Sequence, residues 1–346
     1  MGGNKLIRII CGLLSLQLFA LVAFAQEQQF ANIGDLKLQN GGVIRNCRIG
    51  YRTFGKINAD KSNVVVFPTW AGGTTEQLQS SIGPKKLVDS TAYFVIAIDA
   101  LGNGVSSSPS NSRLQPRMRF PRFTLGDTVK SQHELLTRVL KIDRVKAIVG
   151  ISMGGMQVFQ WLVSYPDFAE KAVPIVGSPR LAPYDLLIWQ SQIEALMRDR
   201  DWKGGNYSKN PARALDFAFG AMLLTTPPDY NKHKTRDEVL ADLEKARRDG
   251  RSFDANDKIR QTQAMMQLDV TREFGGSLER AAQAVKAKVF VVVSRFDHVV
   301  TPGPAIEFAS LLGAKLLNLE SECGHLATVC EASRLDAAVA EFLTKD

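Results

Sequence analysis

The chain has 346 residues, 45% of them hydrophobic and 23% charged, with a formal charge of +8 at pH 7. That length buries a large core, either as one α/β domain or as a core with an insertion, and the balance is that of a soluble globular protein. The positive excess is dispersed, with no Arg/Lys run interleaved with aromatics, which argues against nucleic acid as a partner.

Residues 1–25 read as a targeting segment. Lys5 and Arg8 supply a positive start, Ile9 to Val22 an apolar stretch, and Ala23-Phe24-Ala25 a small-residue cleavage site before Gln26. An uncleaved anchor is the alternative, but the stretch is short for a spanning helix and is interrupted by Ser15 and Gln17. The mature protein is therefore expected in the periplasm or outside the cell, with no stable membrane insertion after cleavage. Cys11 would leave with the leader. Among the remaining Cys47, Cys323 and Cys330, the last two are the nearest pair for a disulfide, which an oxidising compartment permits. Three buried free thiols is an equal alternative.

From Gln26 to Gly55, mixed alternation around Asn40-Gly41-Gly42 predicts a β-hairpin. Val64-Val65-Val66-Phe67 reads as a buried strand that runs into the glycine-rich loop Thr69 to Thr74. Tyr93 to Ile98 is the next strand, Thr124 to Leu140 a helix, Val145 to Val149 a strand, and Lys171 to Val176 another. Strands alternating with helices predict a mostly parallel sheet covered on both faces. From about Arg180 to Phe274 the strand signal stops, and helical stretches follow one another, separated by Gly204-Gly205, Pro227-Pro228 and Gly250. Alternation resumes with Lys288 to Ser294, Pro304 to Leu312, Lys315 to Leu319 and Ala332 to Leu343. The division expected is a core from 26 to 179, a helical cap from 180 to 274, and the rest of the core from 275 to 346.

The chemistry centres on Gly150-Ile151-Ser152-Met153-Gly154, a G-x-S-x-G pattern between a strand and a helix. A serine held on such a sharp turn is exposed above a helix N-terminus, and the flanking glycines remove Cβ atoms that would clash there. A serine nucleophile needs a base, and the base an orienting carboxylate. Of four histidines, His133 lies within a helix, His233 in the basic segment Lys232-His233-Lys234, and His298 beside Asp297. His325, after the last strand and before the last helix, is the best placed. Asp297 follows a core strand, where the ligand crevice of an open α/β sheet lies. Ser152, Asp297 and His325 thus come in the order nucleophile, acid, base expected of an α/β-hydrolase. For the oxyanion hole the two backbone donors expected are Met153 N–H and Trp70 N–H. Asp99 and Asn103 are read as loop packing rather than as substrate contacts. No metal or cofactor motif is present.

Phe120-Pro121, Thr124, Asp127, Val129, Gln132 and Leu135-Leu136, followed by Gly150-x-Ser152-Met153-Gly154-Gly155-Met156-Gln157, Trp161 and Tyr165-Pro166, resemble the homoserine O-acetyltransferase family of α/β-hydrolases. The resemblance implies acyl transfer through an acyl-Ser152 intermediate, Trp70 and Met153 as oxyanion donors, and a homodimer formed through the cap. Two positions depart from that family. Leu326 follows His325 where an aspartate usually helps hold the amino group of homoserine, and Trp189 to Ile193 carries no arginine for the homoserine carboxylate. The expected activity is therefore that of an exported serine hydrolase using a small ester or acyl substrate, with water as acceptor. The alternatives are transfer to another alcohol, or a non-catalytic ligand-binding homologue.

Overall fold

The computed structural model describes residues 26–211, 213–249 and 253–345. The leader expected at 1–25 lies outside the described residues. Eight strands form one sheet: β1 Gln29–Lys37, β2 Val43–Phe54, β3 Val64–Pro68, β4 Phe94–Ile98, β5 Val145–Ile151, β6 Ala169–Ile175, β7 Lys288–Ser294 and β8 Lys315–Leu319. Their order across the sheet is β1-β2-β4-β3-β5-β6-β7-β8. β1 and β2 pair antiparallel, as does β2 with β4, and from β4 to β8 every pairing is parallel.

The central strands are buried on both sides, which is why they read as continuous apolar runs. In β3, Val64 and Val66 pack with Ile148, Phe159 and Val291 on one face. Val65 and Phe67 pack with Val149, Phe290 and Leu335 on the other. Helices α1 (Leu125–Glu134) and α2 (Met153–Ser164) cover the first face. Thr124 and Asp127 form a capping box at the start of α1, with 2.9 Å between Thr124 N and Asp127 Oδ2. The other carboxylate oxygen accepts from Gln39 N at 2.8 Å, so this buried aspartate holds the β1–β2 turn to the helix. His133 stacks flat on Tyr165 at 3.9 Å between ring centroids, in a packing role.

Between β6 and β7 the chain leaves the sheet. Pro179 O accepts from Val270 N at 3.1 Å, and Arg180 bridges Asp269, so the departing and returning segments meet. Between them run α3 (Pro183–Met197), α4 (Arg213–Leu224), α5 (Pro227–His233), α6 (Arg236–Asp249) and α7 (Ala255–Met266). The α5 helix corrects the sequence reading, in which Pro227-Pro228 separates helices. Thr226 is its N-cap and the prolines occupy its first turn, where a missing N–H costs nothing and a fixed φ suits the helix.

One contact between α7 and the core carries a pH dependence. Asp257, fully buried, accepts from Ser110 N at 2.9 Å and from Ser110 Oγ at 2.5 Å. Burial, with the Asp254 carboxylate adding to it, pushes the Asp257 carboxyl up to about 8 from 3.8. The folded state thus keeps the proton to higher pH than the unfolded chain does. The stability it contributes is complete below the unfolded value and falls as pH rises towards the folded one. Asp257→Asn keeps an acceptor for Ser110 N, turns the Ser110 Oγ contact round so that the amide donates to it, and removes the ionisable group. It is expected to raise the melting temperature by at least about 3 °C near pH 8.5 and to leave it unchanged near pH 4. Scanning calorimetry at the two pH values checks this, and an equal shift at both contradicts it.

Candidate active site

Four loops meet at the carboxyl ends of β3, β5, β7 and β8, because those strands run parallel and β3 pairs directly with β5. Ser152 stands at the turn from β5 into α2 with φ 58° and ψ −123°, a region that side-chain-bearing residues rarely adopt. The turn is held on both sides, by Ser152 N donating to Ile175 O at 2.8 Å and Met156 N donating to Ser152 O at 3.0 Å. A Cβ at Gly150 would fall 2.3 Å from Gly154 O, and one at Gly154 would fall 2.7 Å from Pro68 O. The first glycine lets the turn close, and the second lets the loop after β3 lie against it.

His325 Nε2 is 2.8 Å from Ser152 Oγ, and His325 Nδ1 is 2.6 Å from Asp297 Oδ2. The other Asp297 oxygen accepts from Val299 N at 3.0 Å and Val300 N at 2.9 Å. Asp297 and His325 are both buried, so the hydrogen bonds linking them act in a medium of low polarisability. The structure therefore brings Ser152, His325 and Asp297 into one hydrogen-bonded line. The other histidines stand apart from it. His298 Nε2 lies 2.9 Å from Met222 O, and His233 Nδ1 lies 2.9 Å from Asp229 O.

Met153 begins α2, so its N–H is one of the first-turn donors without an intrahelical acceptor. Trp70 lies on the neighbouring loop and lines the same cavity as Ser152. Gly72 and Gly73 do different jobs in that loop. A Cβ at Gly73 would meet the Trp70 ring at 2.5 Å, so this glycine makes room for the indole. The Gly72 amide donates to Gln261 Oε1 at 2.8 Å.

Several residues that position the loops escaped a role in the sequence reading. Gln157 Nε2 donates to Thr69 O and Met153 O, both at 3.0 Å, and its oxygen accepts from Gln132 at 2.6 Å. Trp161 Nε1 donates to Gln132 Oε1 at 2.9 Å, which completes a buried chain tying the loop after β3 to α2. From the cap, Gln261 on α7 accepts from Gly72 N and donates to Leu101 O, both at 2.8 Å, and so ties the loops after β3 and β4 from above. Trp189 Nε1 on α3 donates to Val299 O at 3.1 Å. Asp185, in the first turn of α3, accepts from Thr301 N at 3.2 Å, so α3 fastens the Asp297 loop at two points. Burial, together with the neighbouring Asp297 carboxylate, pushes the Asp185 carboxyl up, opposed by its hydrogen bonds from Thr301 and Ala182. The sequence named Gln157 and Gln132 only as part of the family pattern, and Gln157 also as a polar residue on the otherwise apolar buried face of α2. Asp99 and Asn103 are packing groups, as expected: Asp99 Oδ1 accepts from Thr75 N and Asn103 Nδ2, both at 2.9 Å.

Above the serine is a cavity of about 700 Å³. Its floor is Ser152, His325, Leu326 and Trp70, and its roof includes Phe219, Phe253 and Met265. Lys258, also in the wall, is paired with Asp216. An apolar chamber over a hydrogen-bonded Ser-His-Asp line can hold a small ester carbonyl and keep bulk water from it.

A family model described as the alpha/beta hydrolase fold matches residues 63–329. A probable esterase from Corynebacterium glutamicum is 34% identical over 86% of this chain and 88% of its own length. An ethyl acetate hydrolase from Pseudomonas veronii is 31% identical over 91% of this chain and 95% of its own. The crystal structure of an acetylester hydrolase from Corynebacterium glutamicum superposes with a TM-score of 0.86 at 30% identity, over 92% of this chain and 96% of that one. A homoserine O-acetyltransferase from Caulobacter vibrioides is 30% identical over 89% of this chain and 92% of its own. The chain belongs to the α/β-hydrolase fold family, and its relatives there include both esterases and homoserine O-acetyltransferases.

Proposed function

We propose that the protein is an exported serine esterase that hydrolyses esters of short acyl groups, acetyl among them, through an acyl-Ser152 intermediate. The observation that carries this reading is the line from Ser152 Oγ through His325 to Asp297 at the floor of the cavity. As Ser152 Oγ adds to the ester carbonyl, His325 Nε2 takes its proton. The charge that develops on the carbonyl oxygen faces Met153 N–H and Trp70 N–H. His325 then gives the proton to the departing alkoxide, and the acyl group stays on Ser152. Water attacks that acyl-enzyme while His325 takes a proton from it, and returning the proton to Ser152 Oγ releases the acid. Asp297 keeps the imidazole in the tautomer with hydrogen on Nδ1 and stabilises it when charged.

Water is favoured as acceptor by Leu326. It lines the cavity directly after His325 and offers no charge to an acceptor's ammonium group. The acetyl preference is supported by the esters that the relatives' names describe. Export is supported by the composition of residues 1–25 and by the disulfide between Cys323 and Cys330, a bond suited to an oxidising compartment.

The test is mass spectrometry of the protein mixed with p-nitrophenyl acetate, with and without alcohol and amino-alcohol acceptors. The expected result is one acetyl group on Ser152, released to water at the same rate whether or not an acceptor is present. Acetyl appearing on the acceptor would make the protein a transferase. Failure both to acylate and to react with a fluorophosphonate would leave a binding protein.

A further inference from the structure

The loop that carries His325 is closed covalently. Cys323, two residues before the imidazole, is bonded to Cys330, five residues after it, with 6.6 Å between their Cα atoms. Inside this ring lie the turn Gly324–Leu326 and the single helical turn Ala327–Cys330. The two halves of the ring are held differently. In the first, Gly324 O accepts from Ser294 Oγ at 2.7 Å, and just before the ring Glu322 O accepts from the cap residue Thr226 at 2.5 Å. In the second, Ala327 is buried, but Val329 is 69% exposed and Cys330 is exposed as well. Behind the disulfide a second bracket spans the same loop, with Ser321 N donating to Glu331 Oε1 at 2.7 Å.

The second half of the ring also forms part of the chamber. Thr328 and Val329 line the cavity beside His325 and Leu326. A short exposed segment next to a catalytic base has little packing of its own to hold it, and the cross-link ties it back to the buried Cys323. Cys47, by contrast, is a core thiol pushed up to about 12 by burial, and takes no part in this arrangement.

We propose that the Cys323–Cys330 bond is a positioning element for His325, and that turnover therefore depends on the bond being oxidised. The proposal rests on the reading of Ser152, His325 and Asp297 as the catalytic groups. It makes the activity redox-dependent: the enzyme reaches full rate only where the bond can form. Reduction by a small dithiol is straightforward on this geometry. One reagent thiolate attacks the exposed Cys330 sulfur, and the electron pair of the S–S bond leaves with Cys323, which takes up a proton. The second reagent thiol attacks the mixed disulfide, frees the Cys330 thiol and closes the oxidised reagent into a ring. Misplacing a base by a fraction of an ångström lowers the rate of proton transfer without weakening substrate binding.

The experiment follows esterase activity of the full protein before reduction with dithiothreitol, after it, and after reoxidation, with thiols counted at each step. Two additional thiols should appear as kcat falls about tenfold, with KM unchanged and fluorophosphonate labelling slowed in parallel. Reoxidation should restore all three. A Cys323→Ser/Cys330→Ser variant should have the reduced rate from the outset and ignore the reagent. Full kcat with two new thiols exposed overturns the proposal and leaves the esterase reading intact. So does a loss in which KM rises and the melting temperature drops to the assay temperature, because the bond would then serve global stability. An oxidised protein that neither hydrolyses esters nor labels overturns the esterase reading itself.

Discussion

Ser152→Ala is expected to lower kcat/KM for a short p-nitrophenyl ester by about 10⁵-fold, while the melting temperature moves by no more than a few degrees. The hydroxyl lies 2.8 Å from the base that must deprotonate it, so its removal ends covalent catalysis through this serine. The backbone turn does not depend on it. The bonds that hold the turn are Ser152 N to Ile175 O and Met156 N to Ser152 O, and both survive in alanine. The cost to folding is one partly buried hydrogen bond, worth about 1 kcal/mol. Residual hydrolysis would come from the oxyanion donors alone. Steady-state kinetics and calorimetry on the same preparation decide the matter, and activity within tenfold of the parent would falsify the assignment of Ser152.

How much of this was legible in the sequence follows from what kind of constraint each residue answers to. The line of Ser152, Asp297 and His325 was readable because each lies in the loop that follows a strand, and a parallel sheet brings all its strand ends to one side. The sheet itself was readable because β3 and β7 are buried on both faces and so are written in apolar runs, residues 64–67 and 289–293, while β5 is broken only by Lys146 near its start. Elements set by local chemistry between helices were harder. Pro227 and Pro228 look like a break, and only the Thr226 cap makes them a helix start. Gln157 and Gln132 could be named as part of a family pattern, but their use as a clamp on Thr69 depends on a contact between residues 88 positions apart. Gln261 reaches Gly72 across 189 positions, and no local pattern signals such a pairing. The disulfide was left open because spacing allows a bond between Cys323 and Cys330 without requiring one.

Asp297→Asn is the more demanding test of the catalytic geometry, because shape and volume stay the same and only the direction of one hydrogen bond changes. Asp297 meets two kinds of neighbour. Its Oδ1 faces the backbone N–H groups of Val299 and Val300, and its Oδ2 faces His325 Nδ1. An asparagine has one acceptor and one donor to place in those two positions. With its amide nitrogen against Val299 and Val300, two donors would confront a third; with its oxygen there, both backbone bonds survive. The oxygen therefore stays on the backbone side and the NH₂ points at His325. The imidazole must then accept at Nδ1 and carry its hydrogen on Nε2, which turns it into a donor toward Ser152. A base that already holds a proton at the working nitrogen cannot take another from serine. The expected loss in kcat/KM at neutral pH is about 10⁴-fold, with stability close to that of the parent. Nitrogen NMR of the His325 ring supplies the independent check, since the proton should move from Nδ1 in the parent to Nε2 in the variant. A variant that keeps hydrogen on Nδ1, or retains a tenth of the parent rate, would mean that Asp297 does not set the tautomer of the base.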